Sequence, residues 1–268
     1  MAEKSPLLPV ALPRSTGEIV VRQFRPEDAP QVHALLVGSL VHGPDSPRNI
    51  ALWRNLTNSI SCIAYAGLAL GLGCLSRRNE TFQICGIVFS LGSVLFFIYV
   101  RQSITKMFVN FCATALKTDM ADIMASYEIP RPGAGTQIPA DQGPGGFWVA
   151  VIESPDHKTS EVVGYLGLGA SFHYRANADP SSGELRRMIV SMHHRRRKIG
   201  TLLIASVMDH ARKLSPPLET LDLETSEYQP GARKLYEKHG FSIVGSRVMR
   251  SGPLFSMKVF RFRRRVAD

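Results

Sequence analysis

Val190–Leu203 reads VSMHHRRRKIGTLL. Leu185 to Met192 leads into it and reads as a strand. Thr201 to Leu214 leaves it as a helix, with Leu202, Leu203, Met208, Ala211 and Leu214 along one side. The turn between them holds His193, His194, Arg195, Arg196, Arg197 and Lys198. A strand-to-helix turn aims several backbone N–H groups and the positive end of the helix dipole at one point, so it can hold a pyrophosphate. The basic side chains would add to that field; the alternative is a solvated basic loop.

Working outward, Leu218–Glu224 reads as a strand. Pro230–His239 reads as a short helix opened by proline and closed by Gly240. Ser242–Arg250 and Leu254–Arg263 finish as strands. On the other side lie two strands, Phe147–Ile152 and Glu161–Leu168, and a polar loop that runs on through Ser182. Ile129–Gly146 is rich in proline and glycine and reads as a linker. Further back, Glu18–Phe24 reads as a strand, Arg25–Leu36 as a helix with acids in its first turn, and Ile104–Tyr127 as a helical stretch.

Between these parts lie two uncharged runs, Asn55–Ser76 and Thr81–Val100, separated only by Ser76-Arg77-Arg78-Asn79-Glu80. Each has about the 20 residues that cross a ~30 Å hydrocarbon layer as a helix. They predict a membrane hairpin, since a soluble core would need much more protein to cover both helices. Ala64, Ala66, Gly67, Ala69, Gly71 and Gly73 on one run, with Gly86 and Gly92 on the other, would let the backbones approach closely. Arg48, Arg54, Arg101 and Lys106 flank the hairpin against Arg77 and Arg78 in its turn, which puts both flanks in the cytosol.

The chain has 268 residues and a formal charge of +10, with 44% hydrophobic residues, too many for a disordered polyelectrolyte. Cys62, Cys74, Cys85 and Cys112 show no metal-ligand spacing, and neither a metal site nor a disulfide framework is expected. Nucleic acid is not expected as a partner, because the aromatic residues do not interleave with the basic runs. Arg261, Arg263, Arg264 and Arg265 are expected instead against anionic headgroups of the bilayer.

Two motifs resemble the GNAT superfamily of N-acetyltransferases. The first is Val190…Arg195…Gly200, with Lys198 where the family has its first glycine. The second is Gly231–Phe241 (GARKLYEKHGF), with Gln229 where the family has asparagine. The resemblance covers Glu18–Leu36 weakly and Phe147–Phe260 well, and the inserted hairpin looks like the membrane-anchored branch that includes cysteine S-conjugate and aspartate N-acetyltransferases. It implies an α/β fold with a mixed, V-splayed β-sheet flanked by helices. Residues 1–54 would supply the first strand and helix, 55–100 the membrane hairpin, and 101–268 the rest of the acetyltransferase domain.

The same resemblance implies acetyl-CoA as co-substrate, held by Ile189, Val190, Met192, Arg195, Arg196, Arg197, Lys198, Ile199, Gly200, Thr201 and Gln229. Glu184 falls where the family carries a general base; its alternative is a surface pair with Arg186 or Arg187. Tyr236 falls where the family carries a general acid near the thiol; its alternative is a core residue. His173, His193, His194, Glu224 and Glu227 stay open as further candidates for proton transfer or substrate contact. The activity implied is acetylation of a primary amine on a small amino acid or conjugate, from an integral membrane position in the endoplasmic reticulum with the catalytic domain in the cytosol. Acetylation of protein lysines and acyl-CoA binding without catalysis are the alternatives.

Overall fold

The computed structural model describes residues 17–129, 145–153, 160–170, 181–252 and 254–267. Seven strands form one sheet: β1 Ile19–Gln23, β2 Gly146–Glu153, β3 Ser160–Ala170, β4 Ser182–Val190, β5 Thr220–Ser226, β6 Ser242–Arg250 and β7 Ser256–Arg265, in the order β1-β2-β3-β4-β5-β7-β6. Every neighbouring pair is antiparallel except β4–β5, which is parallel. The sheet is therefore mixed and flanked by helices, as the sequence implies. β2 is apolar along almost its whole length because both of its faces are covered.

One face carries α6 (Ile199–Lys213) and α7 (Pro230–Lys238). Ile199, Leu203, Val207 and Ala211 fall on one stripe of α6 and pack against Val163, Leu166, Leu185 and Leu223 of the sheet. The other face carries α1 (Ala29–Val37), α2 (Pro47–Asn55) and the second half of α4 (Glu80–Lys117). These pack with Tyr127, Phe147 and Tyr165 in a second core. Phe147 stacks on Tyr165 at 5.4 Å and meets Tyr127 edge-on at 5.0 Å.

Before α4 comes α3 (Ser59–Leu75), and each starts on an asparagine cap: Asn58 accepts from Ser61 N (2.9 Å) and Asn79 from Thr81 N (2.9 Å). The two helices form a close antiparallel hairpin. A side chain at Gly86 would lie 2.8 Å from the Gly71 carbonyl and 2.9 Å from Leu75 N; Gly67 and Gly71 face Ser93 and Ser90. Gly73 and Gly92 have open space beside them and take no part in this contact, contrary to the sequence expectation.

α4 is one helix of 38 residues, about 57 Å long. The stretch expected as a separate helix from Ile104 is its second half, and a turn then leads to the short α5 (Ile123–Ser126). Val100, Ile104, Phe108, Cys112 and Ala115 are buried at three- and four-residue spacing, so the C-terminal half packs in the core. Leu218–Glu224 and Leu254–Arg263 shift two residues toward the C-terminus, and the strand expected over Leu185–Met192 begins at Ser182 and stops at Val190. Arg261 and Arg263 are ion-paired to Asp222, and Arg264 donates to the His239 carbonyl (2.7 Å), so these three are engaged within the fold. Most of the Ile129–Gly146 linker lies outside the described residues.

Candidate active site

The parallel register of β4 and β5 runs from Ser182↔Thr220 to Leu185↔Leu223 and ends there, although β4 continues to Val190 and β5 to Ser226. The two strands fork. On its other edge β4 carries a bulge, where Tyr165 pairs Ile189 and Gly167 pairs Arg186, leaving Arg187 and Met188 opposite Leu166 alone. Arg187 holds φ +55° at this bulge, and a bulge bends the strand that carries it, which accounts for the divergence. Ser191 N donates to Val163 O (2.8 Å), so strand alternation turns the Val190 amide to the opposite edge, into the fork.

The bulge is fastened by a residue that the sequence reading missed. Asp119, just after α4, takes both Nε and Nη2 of Arg187 at 2.8 Å, with Tyr127 Oη (2.8 Å) and Thr118 Oγ1 (3.1 Å) as further donors. Burial alone would raise the Asp119 carboxyl, but the Arg187 guanidinium, aided by Tyr127 and Thr118, holds it below the usual range. Arg187 also lies over the Phe111 ring at 5.1 Å. The signal available in the sequence was the pair Arg186-Arg187 inside a strand: two adjacent long cations leave one to be accommodated on the covered face.

At the end of β4 the chain makes a 3₁₀ turn, Met192–His194, and then the basic turn. Arg196 (φ +69°) and Lys198 (φ +61°) are both left-handed. Lys198, which stands where the family has its first glycine, takes the positive φ that a glycine adopts without strain. The lysine therefore occupies a backbone position that favours glycine, and the left-handed turn persists. α6 begins at Ile199 with no side-chain cap, which leaves its first amides facing outward from the turn. Arg195, Arg196 and Lys198 are exposed around it. Arg195 reaches Asp45 at 3.5 Å, and Arg197 donates to the Gly17 carbonyl (2.9 Å).

Ile199 and Gly200 are buried. A side chain at Gly200 would meet Leu235 Cδ2 at 2.6 Å and Met188 Cε at 3.0 Å, so this glycine brings α6 onto α7 and β4, and its Cβ direction points into packing. Thr201 Oγ1 lies 3.1 Å from His239 Nε2, tying the first turn of α6 to the end of α7. Burial, with Arg264 and Lys238 nearby, lowers the His239 pKa. Met192 packs beside Gly43, which joins the turn to the segment before α2.

Glu184 pairs in register with Asp222, one step before the fork, and its Oε2 accepts from Arg186 Nη2 (2.6 Å) and Nε (3.1 Å). It thus stands at the fork and in the arginine pair that was its alternative. Tyr236 is buried on the α6–α7 face between Phe241 (5.9 Å) and Phe262 (6.0 Å), and burial raises its pKa, which keeps the phenol protonated. Ile189 is buried beneath the fork, in the core on the α4 side. Gln229 Oε1 accepts from Ser226 N (3.3 Å), Ser226 Oγ (3.1 Å) and Thr225 Oγ1 (3.3 Å), so it closes the turn after β5.

Among the remaining candidates, Glu224 pairs with Arg247 (2.7 Å) and Glu227 Oε1 accepts from Lys258 N (2.7 Å). His193 is exposed, and His194 is buried with Glu161 3.9 Å away. His173 lies outside the described residues. Among the described residues, no group of three or more His, Cys, Asp or Glu could hold a metal ion.

A left-handed basic turn, an uncapped helix start and an open strand edge form the donor set for a diphosphate with an amide-bearing arm, and these residues fit acetyl-CoA. Comparison with known proteins agrees. Residues 117–241 match the acetyltransferase (GNAT) family. The chain is 31% identical over 229 residues to the N-acetylaspartate synthetase of Danio rerio, covering 85% of this chain and 68% of that protein. Against the Xenopus tropicalis N-acetylaspartate synthetase it is 32% identical over 140 residues, spanning 52% of this chain and only 42% of that protein. A GNAT-family acetyltransferase structure from Staphylococcus aureus covers 93% of this chain and 99% of its own at 12% identity and a TM-score of 0.45. The match over residues 117–241 and the Danio rerio relative, covered over two thirds of its length, show that this chain belongs to the GNAT family of acetyltransferases.

Proposed function

We propose that the chain is a membrane-anchored enzyme that moves the acetyl group of acetyl-CoA to the primary amine of a small amino acid or amino-acid conjugate. The observation that carries this reading is the fork between β4 and β5, with Glu184 at its vertex and the basic turn at the end of β4. Val190 would donate its amide to the acyl arm, and the turn from Arg195 to Thr201 would hold the diphosphate. Glu184 would take the ammonium proton and Tyr236 would hold a proton for the departing sulfur. In relatives, the curated names are those of N-acetylaspartate synthetases and of N-acetyltransferase 8, the latter 28% identical in Rattus norvegicus over 85% of this chain.

The anchor is the α3–α4 hairpin. α4 is long and apolar enough to cross a membrane, with 11% of its most apolar window buried within the fold. Ile63, Leu70, Leu72, Ile84, Ile87, Phe89, Leu91 and Leu95 present apolar surface along the pair. Trp53, 72% exposed, and Tyr99 stand near its base beside Arg101, which donates to the Leu52 carbonyl (3.3 Å); aromatic rings and arginines of this kind favour the headgroup level. The endoplasmic reticulum, with the fold in the cytosol, is the location that the membrane-anchored branch supports.

The test uses the full chain in lipid nanodiscs with labelled acetyl-CoA and a panel of amines. Glu184→Gln is expected to lower turnover by about 10²–10⁴-fold at neutral pH with acetyl-CoA affinity retained, the deficit shrinking as the amine deprotonates in solution. Tyr236→Phe should lower the rate without that recovery. Transfer to no amine, or full turnover by Glu184→Gln from pH 6 to 9, overturns the reading or its base respectively.

A further inference from the structure

The fork and the α3–α4 hairpin share one end of the sheet. β4 and β5 both finish there, at Val190 and Ser226. β6 is antiparallel to β7 as β7 is to β5, so it runs the same way and finishes there at Arg250. α4 arrives from beyond these ends. Its Phe108 meets Tyr228, past the end of β5, at 6.4 Å, and only later do Phe111 and Asp119 reach Arg187 inside β4. The apolar half of α4, before Val100, therefore projects from the open end of the fork.

α2 crosses that opening. Ahead of its first turn Gly43 packs on Met192 and Asp45 reaches Arg195 (3.5 Å), both at the exit of β4. At its last turn Arg54 lies 3.9 Å from Glu227 and 5.7 Å from the centre of the Tyr228 ring, both at the exit of β5. The chain then bends by 46° into α3. α2 is nine residues long, ~14 Å, so the basic turn stands one to two Debye lengths (~8 Å each) from the level at which the chain enters the hairpin. Arg54, Arg195, Arg196, Lys198 and Arg250 are exposed at this end. The carboxylates that face Arg54 and Arg195 belong to solvent-accessible pairs, which are weak, so a phosphate can take their place.

We propose that the mouth of the fork faces the bilayer and that these five cations dock it on anionic headgroups, so that headgroup phosphate and the diphosphate of acetyl-CoA compete for the turn Arg195–Lys198. The inference rests on the membrane-anchored reading and adds to it a lipid class and a regulation of the cofactor site. Continuity carries it: the surface that holds the diphosphate is the surface from which the hairpin departs.

The experiment uses the full chain in nanodiscs of phosphatidylcholine, alone or with about one third phosphatidylglycerol. In a background with Cys62, Cys74, Cys85 and Cys112 replaced, a dye is placed on Trp53→Cys, Val248→Cys or Ser242→Cys. A lipid spin-labelled at its headgroup should quench the dye at 53, at the base of the hairpin, and at 248, and should spare the dye at 242, about 20 Å further along β6. The Kd for acetyl-CoA should rise about 5-fold from neutral to anionic discs, the worth of one cation at an anionic surface. Arg54→Gln with Arg250→Gln should shrink that rise and leave the Kd in neutral discs unchanged. Quenching at 53 with equal signals at 248 and 242, or a Kd indifferent to lipid charge, overturns the inference and leaves the anchor standing. A rise that the double variant keeps in full is plain repulsion of the cofactor by the membrane and overturns the competition. Quenching at none of the three positions overturns the anchor as well.

Discussion

Lys198 occupies the left-handed position that glycine takes most readily, and it does so at the start of α6, where the turn must present its amides. Left-handed backbone costs a side-chain-bearing residue about 1–2 kcal/mol, while glycine costs about 0.5–1 kcal/mol in unfolded-chain entropy. Lys198→Gly is therefore expected to stabilise the fold by about 0.5–1 kcal/mol in chemical denaturation and to keep acetyl-CoA binding, with a modest salt-dependent loss from the missing charge. Destabilisation would show that the lysine side chain holds the turn. Asp119 gives a second test with a sign fixed by its depressed pKa. Its contribution is complete above the ordinary aspartate value of about 4 and fades as pH falls through the lower folded value. Asp119→Asn should cost on the order of 3 kcal/mol at pH 7 by leaving Arg187 unpaired, and the gap to wild type should narrow below pH 4. Glu184, Arg195 and Tyr236 can be singled out from sequence because each stands at a fixed spacing within its own strand–turn–helix segment. Asp119–Arg187 and Asp222–Arg263 cannot, because each partnership joins residues separated by 68 or 41 positions.

Elements were legible where hydrophobic period and caps agreed. Pro230 and Gly240 bracket α7, and of the stripe expected on α6 Leu203, Met208 and Ala211 are buried, whereas Leu202 is exposed. The break expected between Val100 and Ile104 does not exist, because charge marks the edge of a hydrocarbon layer and not the end of a helix: Arg101 sits inside α4. The glycines show the same limit. Composition gave five on the two runs, and only the backbone register decides that Gly67, Gly71 and Gly86 face the partner helix. A Cβ at Gly67 would stand 3.6 Å from that of Ser93, within the span of a disulfide. In a background with Cys62, Cys74, Cys85 and Cys112 replaced, Gly67→Cys with Ser93→Cys should cross-link quickly under mild oxidant. Adding Gly86→Val should abolish the cross-link, since its side chain would run into the Gly71 carbonyl and the Leu75 amide. A cross-link indifferent to Gly86→Val would mean that the helices meet elsewhere.

For the molecule as a whole, α4 joins the hairpin to the sheet and its covering helices as a single rod. Its first half presents apolar surface outward, and its second half supplies a seam of the core beneath the Arg187 bulge. The proposed anchor and the acetyltransferase fold therefore share a helix, and the place to separate them is set by packing and not by charge. Excision of Leu56–Val100, the run between the basic flanks, would remove Val100, which is 1% exposed in the core, and Ser61, whose Oγ donates to Asn55 O (2.5 Å). Tyr65 and Phe97 meet at 5.8 Å, so the two helices are already side by side at that level. Excision of Cys62–Phe96, with Ser61 joined to Phe97 by five glycine and serine residues, closes the gap, because such a linker reaches about 17 Å and packed helices lie 8–10 Å apart. The full chain should stay in the membrane pellet after alkaline carbonate washing, and the excised chain should appear in the supernatant with acetyl-CoA affinity close to that of the full chain. Release of the intact chain would end the anchor assignment. An excised chain that is soluble and folded but blind to acetyl-CoA would show instead that the outer half of α4 is needed to hold the fork open.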